Sequence, residues 1–167
     1  MKIPGVDLKP AHAVADARGR FAEIYRASGD HPAFVQANHS RSKAGVVRGL
    51  HYHLKQADLW YVVGGTARVG LVDLRNRTDP PTGETVDLRD DEPATLFVPP
   101  GVAHGFAALT DVELIYWVTA EYDASDEFGI AWDDPAINLD WGVSDPILSD
   151  RDSSNPRLAW NDVPQFS

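Results

Sequence analysis

A chain of 167 residues and 18.3 kDa, 43% hydrophobic and 24% charged, has the size and composition of one globular domain spanning residues 1–167, which excludes a disordered or collagen-like polymer. The absence of cysteine removes disulfides, thiolate metal sites and cysteine nucleophiles together, and a net charge of −10 without a visible basic patch argues against a nucleic-acid partner. No apolar run approaches the roughly 20 residues of a bilayer span, and Met1 to Pro10 lacks the charged-then-apolar layout of a signal peptide, so the expectation is a cytoplasmic protein without membrane partners.

In chain order, strand-like runs fall at Phe34 to Ala37, Trp60 to Val63, Ala67 to Leu74, Ala94 to Val98 and Glu113 to Val118. Turn signals separate them, among them Gly64-Gly65, Asp79-Pro80-Pro81, Pro99-Pro100-Gly101 and Thr110-Asp111. Consecutive apolar positions at Val69, Leu71 and Val72, and at Leu114 and Ile115, predict strands buried on both faces. The pattern is all-β, spaced as in a sandwich or barrel. The best helix signal, Asp123 to Phe128 with Ser125 as a cap, is too short to build a core. After Asp133 the chain becomes polar and proline-rich, with apolar anchors at Trp141, Ile147 and Leu148, which predicts an irregular C-terminal tail packed over the barrel.

Histidine, arginine and carboxylates gather in four segments: Asp16 to Glu23, Gln36 to Ser40, Arg48 to His53 and Pro99 to Phe106. Strand alternation in the third would put Arg48, Leu50 and Tyr52 on one face, with Gly49, His51 and His53 on the other. If that second face lines a barrel mouth, His51 and His53 converge there with His104, in the usual place for a ligand. The competing reading makes each histidine a satisfied packing or surface residue.

The segments D-x-R-G-x-F-x-E (Asp16 to Glu23), Q-x-N-H-S (Gln36 to Ser40), R-G-L-H-Y (Arg48 to Tyr52), P-P-G-x-A-H-G-F (Pro99 to Phe106), G-I-x-W-D-D-P (Gly129 to Pro135) and P-I-L-S-x-x-D (Pro146 to Asp152) make the chain resemble the dTDP-4-dehydrorhamnose 3,5-epimerase family. The resemblance implies a cupin-like jelly-roll barrel, a homodimer, a dTDP-sugar substrate, and no cofactor or metal. It also implies a chemistry: a ketone at C4 acidifies the hydrogens at C3 and C5, a base removes one, and an acid returns a proton on the opposite ring face. On this resemblance the base is His51, its carboxylate partner Asp152 and the acid Tyr116. The substrate-binding positions are Arg18, Phe21, Glu23, Gln36, Asn38, Arg48, His104, Glu127 and, as a lysine-to-arginine change, Arg151. Arginine suits a pyrophosphate because its planar fork donates to two oxygens at once.

One departure bears on mechanism. Where the family reads Q-G-K-L, with a lysine near the C4 oxygen, this chain reads Gln56-Ala57-Asp58-Leu59. Donors aimed at a developing oxyanion are worth about 3 to 4 kcal/mol, and an ionised Asp58 would oppose the enolate. Lys55, His53 or His104 is then the replacement donor, or the chemistry differs. The family's lysine after the acid tyrosine is Trp117 here. Two alternatives follow: a metal-dependent cupin isomerase or oxygenase using His51, His53, Asp58 and His104, and a nucleotide-sugar binding protein without turnover.

Overall fold

The computed structural model describes residues 1–166. Most of the regular secondary structure is strand: β1 (Asp7–Pro10), β2 (His12–Asp16), β3 (Gly19–Glu23), β4 (Gln36–Ser42), β5 (Val47–Tyr52), β6 (Asp58–Gly64), β7 (Thr66–Asp73), β8 (Thr82–Arg89), β9 (Ala94–Val98), β10 (Val102–Ala108), β11 (Val112–Val118) and β12 (Phe128–Gly129). A 3-10 turn (Ala124–Asp126) precedes β12, and one short helix, α1 (Asp150–Ser154), lies in the tail. Among the described residues no helix is long and apolar enough to cross a membrane.

Two antiparallel sheets face each other as a β-sandwich, in the cupin-like jelly-roll arrangement expected from the sequence. The first runs β1-β9-β6-β11-β4 and the second β12-β5-β10-β7-β8. The chain crosses between sheets at nearly every step from β4 to β11, so each sheet is built from residues distant in sequence. Between the sheets lies a core that includes Trp60, Val62, Val69, Leu71, Leu96, Phe106 and Leu114. A second core forms on the outer face of the second sheet. There Leu50, Tyr52, Val72, Leu74 and Ala107 are covered by Ile130, Ile137, Trp141 and Val163 of the tail. This explains the consecutive apolar residues of β7, since Val69 and Leu71 face the inner core while Val72 faces the tail. Gly70 makes room for that cover: a Cβ there would stand 2.6 Å from the Trp141 ring, whose Nε1 donates to the Trp132 carbonyl at 2.8 Å.

Several expectations shift. The strand expected at Phe34 to Ala37 begins at Gln36 and continues to Ser42, with Gln36, Asn38 and Ser40 turned inward and Ala37, His39 and Arg41 exposed. β11 is less buried on its outer face: Leu114 is enclosed and Ile115 half-buried, and the cover there comes from the segment before β4, with Tyr25 against Trp117 and His31 against Phe97. The turn near Ser125 is capped by Asp123 instead, whose carboxylate accepts from the Ser125 amide at 2.8 Å and hydroxyl at 2.7 Å. The β2–β3 hairpin forms a separate two-stranded sheet, almost wholly exposed.

Candidate active site

A cavity of about 340 Å³ opens between the two sheets. From the first sheet come Gln36 and Asn38 of β4, Asp58 and Trp60 of β6 and Tyr116 of β11; from the second come Arg48 and His51 of β5 and His104 of β10. His53 and Gln56 follow β5, Glu127 precedes β12, and Ser149, Arg151 and Asp152 reach in from the tail.

Arg48 and His51 share the cavity although the alternation expected from sequence set them on opposite faces. The reason is a bulge. His104 pairs with His51 and Phe106 with Arg48, so β10 advances two residues while β5 advances three. Gly49 sits in that extra step with φ +118°, and a Cβ on it would lie 2.7 Å from the Gly105 Cα. Leu50 and Tyr52 then turn away into the tail-covered core.

His51 Nε2 lies 2.6 Å from Asp152 Oδ1, with Asp152 only 5% exposed. Helix α1 sets that carboxylate in place: Ser149 is its N-cap, and its hydroxyl accepts from the Asp152 amide at 3.1 Å. Burial pushes the Asp152 carboxyl upward, but the hydrogen bond and charge of His51 outweigh it, helped by Ser149 and the Gly49 amide, and hold it below the usual carboxylate value. An ionised carboxylate at Nε2 fixes the hydrogen there and leaves Nδ1 as the basic nitrogen.

Tyr116 stands on the wall opposite His51, since β11 belongs to the first sheet and β5 to the second. Burial, then the charges of Asp58 and Glu127, push its phenol upward against a smaller opposing effect of Arg48, so it keeps its proton at neutral pH. Around the pair the polar residues are already ordered. Gln36 Nε2 donates to Asn38 Oδ1 at 2.9 Å, Arg48 Nε to Ser42 Oγ at 2.9 Å, and Arg151 pairs with Glu127 at 2.7 Å. That pairing and the charges of His51 and His53 override the opposing effect of burial and hold the Glu127 carboxyl down.

Asp58 is buried and accepts from Gln56 Nε2 at 2.9 Å and Trp60 Nε1 at 3.1 Å. His104 Nε2 lies 3.6 Å from it, and burial lowers the His104 imidazole although Asp58 opposes the shift. His53, Asp58 and His104 hold ligand atoms within 4.8 Å of one another, the donor types that bind a divalent transition metal; His51, engaged with Asp152, is outside this group. Lys55 is exposed and does not line the cavity, leaving His53 and His104 as the imidazoles nearest Asp58.

Arg18, Phe21 and Glu23 do not line the cavity. They sit on the β2–β3 hairpin, where Arg18 pairs with Asp16 at 2.6 Å, Glu23 pairs with Arg26, and Phe21 is 71% exposed. Other lining residues carry weaker signals in the sequence. Trp60 was legible as the same-face neighbour of Asp58 on β6, and Ser149 as the first residue of an S-x-x-D capping pattern; Tyr122 and Asp123, at the rim, carry no such signal.

Residues 1–159 match the family model described as dTDP-4-dehydrorhamnose 3,5-epimerase. The chain is 38% identical to the dTDP-4-dehydrorhamnose 3,5-epimerase of Shigella flexneri, over 94% of this chain and 93% of that one. It is 41% identical to the spore coat polysaccharide biosynthesis protein SpsL of Bacillus subtilis, over 84% and 97%. The crystal structure of dTDP-6-deoxy-D-glucose-3,5-epimerase from Legionella pneumophila in complex with dTDP-4-keto-L-rhamnose superposes with a TM-score of 0.89, at 29% identity over 100% of this chain and 96% of that one.

Proposed function

The chain belongs to the dTDP-4-dehydrorhamnose 3,5-epimerase family of isomerases, and from that membership we propose that it inverts C3, C5 or both of a dTDP-4-keto-6-deoxyhexose by proton transfer between two walls of one cavity. His51 Nδ1 takes the acidified hydrogen while Asp152 stabilises the imidazolium that results, and the enolate is reprotonated from the other ring face by the Tyr116 phenol. Arg48 and Arg151 meet the pyrophosphate, and Gln36, Asn38, His104 and Glu127 position the sugar and nucleotide. The observation that carries this reading is the 2.6 Å contact of His51 with buried Asp152 on one wall, with Tyr116 on the other.

The homodimer belongs to the same proposal. The hairpin carrying Arg18, Phe21 and Glu23 has no contact with the cavity of its own chain, and it exposes Phe21 and Val14. In a symmetric pair those residues border the partner's cavity. Light scattering at micromolar concentration is expected to give the mass of two chains, and a Phe21→Ser, Val14→Ser double variant to lower it towards one; a monomeric parent protein contradicts the pairing.

Incubation with dTDP-4-keto-6-deoxyglucose in deuterated water, followed by NMR, tests the reaction. Deuterium at C3, at C5 or at both identifies the centres acted on, whereas none at either makes the chain a nucleotide-sugar binding protein.

A further inference from the structure

We infer that His53, Asp58 and His104 form a binding site for one divalent first-row transition-metal ion inside this cavity. The ion-binding step is independent of the epimerase reading, and the ion's role at the ketone rests on it. All three ligand atoms lie within 4.8 Å of one another, with Asp58 and His104 buried and His53 half-buried. This differs from the four-residue set weighed from the sequence, because His51 is committed to Asp152. The family resemblance implies a metal-free site, but this chain places Asp58 where the family has a lysine, and three ligands remain without His51.

The hydrogen bonds fix the tautomers. His53 Nδ1 lies 2.7 Å from the Asp126 carbonyl and His104 Nδ1 lies 2.9 Å from the Val102 carbonyl. A carbonyl oxygen only accepts, so both Nδ1 atoms carry the hydrogen, and in a neutral ring both Nε2 atoms present lone pairs. That is how metal-binding histidines are held: one ring N–H on a backbone acceptor, the other nitrogen directed at the ion.

What those lone pairs meet is short of donors. The Gln56 amide stands within reach of His53 Nε2 at 3.3 Å and Asp58 Oδ1 at 2.9 Å, and Trp60 Nε1 serves Asp58 Oδ2 at 3.1 Å. The remaining pair, His104 Nε2 and Asp58 Oδ2 at 3.6 Å, sets an acceptor against an acceptor. A cation between them resolves the conflict. A divalent metal ion is such a cation, and each Asp58 oxygen keeps a lone pair for it. Two imidazoles and one carboxylate with open positions suit Fe, Mn, Co, Ni or Zn. Asp58 occupies the position where the resemblance expects a lysine near the C4 oxygen, so an ion here supplies the missing positive charge as a Lewis acid.

Co2+ is the probe. Full-length protein stripped with a chelator and titrated anaerobically with a cobalt salt should bind one saturable Co2+ per chain, seen as visible absorption. His53→Ala and Asp58→Ala, each checked for folding by circular dichroism, should weaken binding at least tenfold. Gln56→Ala should tighten it, since the amide competes for the same lone pairs, and His51→Ala should bind as the parent does. No saturable absorption, or equal absorption in His53→Ala and Asp58→Ala, overturns the site. Deuterium exchange that persists unchanged in chelator-stripped protein removes the ion's catalytic role while leaving the epimerase reading intact.

Discussion

His51 is held to Asp152 by a contact whose strength depends on the carboxylate being ionised. The folded-state value of Asp152 lies below the ordinary one, because the hydrogen bond and charge of His51 prevail over burial. A depressed carboxylate contributes stability that is present above its unfolded value, about 3.9, and lost as pH falls through the lower folded value. Asp152→Asn is therefore expected to flatten the acid-unfolding curve below about pH 4, and to slow deuterium exchange by roughly 10²-fold or more by freeing the imidazole's tautomer. Parallel acid titrations and exchange rates check both. His51 and Asp152 were legible as cavity-lining positions because each sits in a block that the family resemblance spells out, and Tyr116 because the resemblance places a tyrosine soon after the Pro99 to Phe106 block. Which nitrogen of His51 faces Asp152 was not, since a ring's orientation is set by partners about a hundred residues away in sequence.

β5 shows where strand periodicity fails as a guide to a site. Alternation separates Arg48 from His51, and only the extra residue at Gly49 returns both to the cavity. The signal was present as a glycine inside a strand pattern, which marks a bulge or a close backbone approach. Gly49→Ala should cost about 2 kcal/mol or more by chemical denaturation, because its φ of +118° is strained for any side chain and the new Cβ meets Gly105. β8 and the part of β4 beyond Ala37 were hidden for another reason: their sequences are largely polar, β4 because its inward side chains line a polar cavity instead of a core. Helix α1 has five residues and no apolar face, so nothing periodic announces it, yet it carries Asp152. Ser149→Ala removes its cap and should cost about 1 kcal/mol. Turnover should fall with it by several-fold while KM stays nearly constant, as steady-state kinetics would show; an unchanged kcat would mean that α1 does not position Asp152.

The whole molecule was the most legible level, since short strands between frequent turns and a proline-rich tail predict an all-β sandwich or barrel with an irregular cover, and the tail does cover the second sheet. What no local pattern carries is the facing of β5 and β11. They come from different sheets, and the chain's repeated crossing between sheets brings them to one cavity. The proposed reaction uses that facing directly, because inversion needs a base and an acid on opposite sides of the sugar ring. The decisive measurement is deuterium incorporation and inversion at C3 and C5 of dTDP-4-keto-6-deoxyglucose, followed by NMR for the parent protein, His51→Ala and Tyr116→Phe. His51→Ala should lose both processes by roughly 10²- to 10⁴-fold. Tyr116→Phe should keep exchanging deuterium while inversion falls, since His51 can still return a solvent-derived proton to the face it came from. Exchange at the parent rate in His51→Ala, or inversion at the parent rate in Tyr116→Phe, would contradict the account.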